Sequence, residues 1–191
     1  MFFDLKRPSH SPNSKLLLGF IATWAFAEAS FWFIAVDFLL IPFALTYPRQ
    51  WFLTTLVAWI ASHCGGAVYF WFCAQNLELA GAILEATPFV SQRMHEYIVN
   101  MYFSHGPWGA LAQSWSFMSF KIWTYEAVNQ GFSFYPFFPI VMFSRVFRLF
   151  LVACLAATAS PMIRPIWFKN KAVSWIVYSI VFVSVLIAVE K

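Results

Sequence analysis

The chain has 191 residues, 61% of them hydrophobic and only 10% charged, with a mean hydropathy of +0.69. Soluble chains carry ~45–50% apolar and ~25% charged residues, and a body this small has too much surface to cover with so little charge. The composition excludes a soluble domain, intrinsic disorder and a secreted disulfide scaffold, and predicts an integral membrane protein. The net charge of +4 does not signal nucleic acid. Lys6, Arg7, Lys15, Arg49, Arg164, Lys169 and Lys171 flank apolar runs, as positive-inside topology requires. Cys64, Cys73 and Cys154 are isolated in apolar stretches and read as buried thiols.

Residues 1–15 are polar and read as a cytoplasmic N-terminal arm. An apolar stretch from Leu16 to Thr46 follows, longer than the ~20 residues that a perpendicular span needs. Ala25-Phe26-Ala27 has the form of a signal cleavage site, but the apolar run continues past it through Ile34, so we read it as uncleaved. Glu28 and Asp37 lie inside this stretch. At ~100° per residue they fall about half a turn apart on a straight helix, so they face one cavity only where the helix breaks between or beside them.

Trp51 to Ala74 reads as a conventional span, with Gly65 and Gly66 allowing close approach of another helix. Thr87-Pro88 predicts a helix start. After it, Phe89, Val90, Met94, Tyr97, Ile98, Met101 and Tyr102 fall on one side, and Gln92, Arg93, Glu96 and Asn100 on the other. That pattern predicts an amphipathic helix lying on the membrane or on the protein. No second histidine follows His95-Glu96 at zinc-protease spacing, and none of His10, His63, His95 and His105 reads as a ligand.

Residues 107–135 are apolar but interrupted by Lys121, Glu126, Asn129, Gln130 and Gly131. Pro136 and Pro139 introduce a span to about Ser160 that carries Arg145 and Arg148. Residues 161–171 read as a basic cytoplasmic linker and 172–191 as a C-terminal transmembrane helix, leaving 16–160 as the membrane domain. Two topologies suit this pattern. If 16–46 and 107–135 turn back within the membrane, Arg93 and Lys191 lie outside; with five straight spans, Arg49 and Lys191 do. The positive-inside rule does not choose between them, and both put the N-terminus in the cytoplasm and the C-terminus outside.

Glu28, Asp37, Lys121, Glu126, Arg145 and Arg148 carry the chemistry. An ionised side chain at the bilayer centre costs at least ~2.5–3.5 kcal/mol on insertion scales, so these residues must pair or line water. Arg145 and Arg148, three apart, share a helix face and can meet both acids of the first stretch. Glu126 is expected to pair with Lys121 or an arginine. Such a cluster either binds an anionic headgroup or passes a proton, or else forms an ion-pair network that only fixes helix packing. No nucleophile–base pair, metal set or phosphate loop is present, so an enzyme is not expected.

These residues resemble the short branch of the DedA (VTT, SNARE-associated) membrane protein family over roughly residues 19–158. Phe26-Ala27-Glu28-Ala29, Asp37 and Leu39-Leu40-Ile41-Pro42 follow its opening motif. Arg49-Gln50-Trp51, Gly65-Gly66 with Tyr69, Phe117-Met118-Ser119-Phe120-Lys121 and Ser144-Arg145-Val146-Phe147-Arg148-Leu149 match later ones in order. The resemblance implies an all-α membrane protein with two re-entrant helical hairpins pointing toward each other. About three transmembrane helices and an amphipathic helix complete that fold.

The resemblance also implies lipid translocation, of phospholipid or polyprenyl phosphate, linked to envelope homeostasis in a bacterial inner membrane. Glu28 and Asp37 would be the acidic pair, and Lys121, Arg145 and Arg148 the basic set. No cofactor is implied. The partners would be membrane lipids, a larger membrane complex or a second copy, and not nucleic acid. Phe33, Ala35, Val36, Phe117 and Ser119 stand where the branch has helix-breaking prolines, and Val128 where it has a glycine. That difference predicts weakened breaks, with Phe33 and Phe117 filling the space between the tips. The competing expectation is a non-transporting accessory or structural subunit.

Overall fold

The computed structural model describes residues 14–88, 90–116 and 118–190, and the described chain is helical, without a strand among those residues. Helix α1 spans Ser14–Ser30, α2 Asp37–Thr46, α3 Trp51–Gln75, α4 Leu77–Glu85 and α5 Gln92–His105. A 3-10 turn over Gly106–Ala112 leads into the short α6, Gln113–Ser116. Then come α7 Phe120–Asn129, α8 Phe134–Lys169 and α9 Lys171–Glu190.

Among the described residues, two helices are long and apolar enough to cross a membrane: Trp51–Gln75 and Phe134–Pro165. The described apolar part of α9, which spans Lys171–Glu190, is the shorter stretch Ala172–Val185. The expected linker at 161–171 is instead largely the last turns of α8, which runs through Pro161 and Pro165 to Lys169. The ring of a proline removes one backbone bond but does not end a helix that is held elsewhere. Here the Ser160 hydroxyl donates to the Leu45 carbonyl at 2.8 Å, tying α8 to the end of α2.

The first apolar stretch is a helical hairpin. Leu17, Phe20 and Ile21 from the start of α1 line one groove with Pro42, Phe43, Thr46 and Tyr47 from the end of α2. The segment between α1 and α2 is therefore the tip of two antiparallel limbs. This tip forms without helix-breaking prolines, because side chains from elsewhere take up its carbonyls. Trp24 Nε1 donates to Ile34 O at 3.2 Å, and Lys121 Nζ donates to Glu28 O at 3.2 Å and to Trp32 O. Lys121 thus caps the C-terminal end of α1, where a cation is also favoured by the helix dipole. Phe33 does not fill the tip: it is 41% exposed and stacks on Trp32. Phe117 lies outside the described residues, as do Phe89, Lys191 and the polar arm up to residue 13.

Within α2, Pro42 has no N–H to bond the Phe38 carbonyl, and Tyr178 of α9 donates its hydroxyl there at 3.1 Å. Against α1 lies α3. A Cβ on Gly65 would overlap Phe26 O, whereas one on Gly66 would meet Phe120 and Met142 at 2.8 and 2.9 Å. The two glycines therefore admit different neighbours, the backbone of α1 on one side and the side chains of α7 and α8 on the other.

The amphipathic helix begins at Gln92, with Ser91 as N-cap, and not at Thr87-Pro88. Thr87 instead closes α4, its hydroxyl donating to Ile83 O at 2.8 Å. Met94, Ile98 and Tyr102 form the buried stripe of α5, which packs on the protein against the 3-10 turn and α7. Tyr102 donates to Trp123 O at 2.8 Å; burial, with Glu126 adding to it, pushes its phenol pKa up. The second interrupted segment thus has both of its limbs on α5. Gly131 ends α7 with φ +77°, and the bonds Phe132 N–H to Ala127 O and Gly131 N–H to Val128 O complete a Schellman cap.

Candidate functional site

The two helix breaks meet, and the charged residues converge where they do. Glu28 stands in the last turn of α1, and Asp37 is the first residue of α2, where the helix dipole favours a carboxylate. The interruption between them turns both acids toward α8. Arg145 Nη2 donates to Glu28 Oε2. One turn further along, Arg148 donates through Nε at 3.1 Å and through Nη2 to Asp37 Oδ2. A single helix face therefore reaches one acid on each limb of the hairpin.

Burial makes these contacts consequential. Glu28, Asp37, Lys121 and Arg145 are each at most 7% exposed. Arg145 also donates to Ser62 Oγ on α3 at 3.4 Å and lies 5.1 Å from the centre of the Phe120 ring. Lys121 joins the cluster from α7 through the carbonyls at the end of α1. Removing one partner of either pair, Glu28–Arg145 or Asp37–Arg148, leaves the other charge without the group that faces it.

Glu126 does not enter this cluster. It lies on another side of α7 from Lys121, and its carboxylate accepts from His95 Nδ1 at 2.6 Å and from Asn129 Nδ2 at 3.3 Å. The expected pairing with Lys121 or an arginine is thus replaced by a histidine that the sequence left without a role. The signal was there: on α5, His95 adjoins Met94 at the edge of the buried Met94–Ile98–Tyr102 stripe. Glu126 and His95 border an open groove of about 500 Å³ with Glu85, Glu96, Tyr125 and Asn129, apart from the clasp of acids and arginines.

The cavity inside that clasp is small. Glu28, Ala35, Val36, Asp37, Gln113, Arg145, Arg148 and Leu149 enclose about 10 Å³. Gln113 is the member that sequence reasoning missed, an uncharged residue inside an apolar stretch. Next to it, Ser114 Oγ donates to Ser144 O at 2.7 Å and Ser144 Oγ donates to Leu111 O at 3.1 Å, locking the second break onto α8 beside Arg145.

The arrangement defines a helical chain with two candidate spans and a buried, paired charge cluster where two broken helices meet. No protein-family model, curated protein or solved structure matches the chain.

Proposed function

We propose that the chain is a multi-pass protein of DedA type in a bacterial cytoplasmic membrane, translocating a lipid with a phosphate headgroup. The observation that supports this reading best is the pairing of Arg145 and Arg148 with Glu28 and Asp37 at the junction of the two helix breaks. A guanidinium binds phosphate with the same forked geometry it uses for carboxylate, so a phosphate headgroup competes for the groups that hold the clasp shut. Broken helices at membrane depth suit such a site, because their freed carbonyls and buried charges need a polar cavity or one another. On this reading the α1–α2 hairpin and the segment from Gly106 to Asn129 are re-entrant. The N-terminus is then cytoplasmic and the C-terminus outside.

The second reading, an accessory or structural subunit, is favoured by one observation: the clasp encloses only about 10 Å³, far below a headgroup. Reconstitution of the full chain into vesicles with a headgroup-labelled phospholipid separates the two. Translocation above protein-free vesicles, lost at least ~tenfold in Arg145→Lys, supports transport, because lysine keeps the charge and loses the fork. Folded wild-type protein that moves lipid no faster than empty vesicles supports the accessory role.

A further inference from the structure

Three buried polar atoms in the clasp lack a hydrogen-bond partner from the protein: Asp37 Oδ1, Gln113 Oε1 and Arg145 Nε. Their residues are 6%, 1% and 5% exposed, so bulk water does not reach them. The three residues line the same cavity of about 10 Å³. Each such atom left alone bears the full cost of its lost hydration, and three around one space point to a shared ligand. We infer that the clasp encloses one water molecule bound by Asp37, Gln113 and Arg145, and that Gln113 positions it.

The chemistry of the three atoms selects the ligand. They are two acceptors and one donor. A cation there would face the guanidinium of Arg145, and an anion would face the carboxylates of Glu28 and Asp37. Water has two protons to give, one to Asp37 Oδ1 and one to Gln113 Oε1, and a lone pair for Arg145 N–H. The cavity has about the volume one water needs, and three polar partners is the usual number for a buried one.

The position of Gln113 follows from its neighbours. It opens α6, and the paired hydroxyls of Ser114 and Ser144 fix that turn against the residue preceding Arg145. The water then joins three elements, α2 through Asp37, α6 through Gln113 and α8 through Arg145. It also links the Glu28–Arg145 pair to the Asp37–Arg148 pair. The inference goes beyond the translocation reading and stands without it.

A density map of the full chain in lipid nanodiscs, at a resolution that shows ordered waters elsewhere, tests it. Expected is a single peak ~2.7–3.2 Å from all three atoms. That peak is lost in Gln113→Met, with both ion pairs kept, and restored in Gln113→Glu, which keeps an acceptor oxygen. A dry wild-type site overturns the inference, as does a peak that persists in Gln113→Met; the wild-type map decides the matter even if Gln113→Met fails to fold. Neither map depends on transport, so a dry site leaves the translocation reading intact, and a wet site in a chain that moves no lipid leaves the water intact.

Discussion

Removing Glu28 should damage the protein more than removing Arg145, although the two are partners in one ion pair. The cluster holds two acids, Glu28 and Asp37, and three bases, Lys121, Arg145 and Arg148. Glu28→Gln leaves three cations, the buried Lys121 and Arg145 and the partly buried Arg148, around one carboxylate, whereas Arg145→Gln leaves two of each, with Lys121 already beside the end of α1. Breaking a buried pair by removing one partner costs about 3–5 kcal/mol. For a chain of this length each kcal/mol lowers Tm by roughly 2–4 °C, so Glu28→Gln should melt about 6–20 °C below wild type. Arg145→Gln should fall near the lower end of that range. The double variant Glu28→Gln/Arg145→Gln restores the original excess of one base and should recover most of the loss. Thermal unfolding in nanodiscs, followed by the fluorescence of the 10 tryptophans, measures all three. An Arg145→Gln variant that melts at or below Glu28→Gln would refute the charge argument, and so would a double variant no better than the worse single.

Gly65→Ala pushes a methyl group into the backbone of α1 at Phe26 and should cost about 1–3 kcal/mol. Gly19→Ala, with nothing within 4 Å, should instead stabilise by about 0.5–1 kcal/mol; equal melting temperatures for the two would contradict the close approach of α1 and α3. Tyr178→Phe strips the donor from the Phe38 carbonyl and should cost about 1–3 kcal/mol. In a Pro42→Ala background that penalty should shrink, since the substituted residue supplies the missing N–H. A penalty of the same size in both backgrounds would show that the hydroxyl does not serve the carbonyl freed by Pro42.

What the sequence made legible was local. The i, i+3 spacing of Arg145 and Arg148 puts them on one face whatever surrounds them, and the half-turn between Glu28 and Asp37 demands a break if both are to meet that face. The length of α3 follows from its apolar run. What stayed hidden depends on residues far apart in the chain. The tip at residues 31–36 holds without proline because Lys121, some 90 positions away, takes its carbonyls. His95 finds Glu126 only once α5 has docked on α7. Pro161 and Pro165 read locally as a stop, yet α8 continues through them, with Ser160 bonded to α2 at that point. Gln113 carries no charge to mark it, and its place in the clasp appears only when the second break lies against α8.

The distribution of the pairs limits how the clasp can open. Arg145 grips the end of α1 and Arg148 the start of α2, so α8 holds both limbs of the hairpin on either side of its tip. A rotation of α8 that frees one arginine drags on the other limb through the second pair. Release therefore demands that both carboxylates lose their partners together, or that the hairpin moves as one body with Lys121 letting go of its tip. A phosphate headgroup that displaced only Glu28 would leave Asp37 still holding α8. On the translocation reading, then, Arg148→Gln should loosen the clasp without removing Arg145, and lipid movement through that variant should be altered in rate rather than abolished. Complete loss in a folded Arg148→Gln chain would mean that both arginines bind the headgroup directly, and that the second pair is not merely a latch.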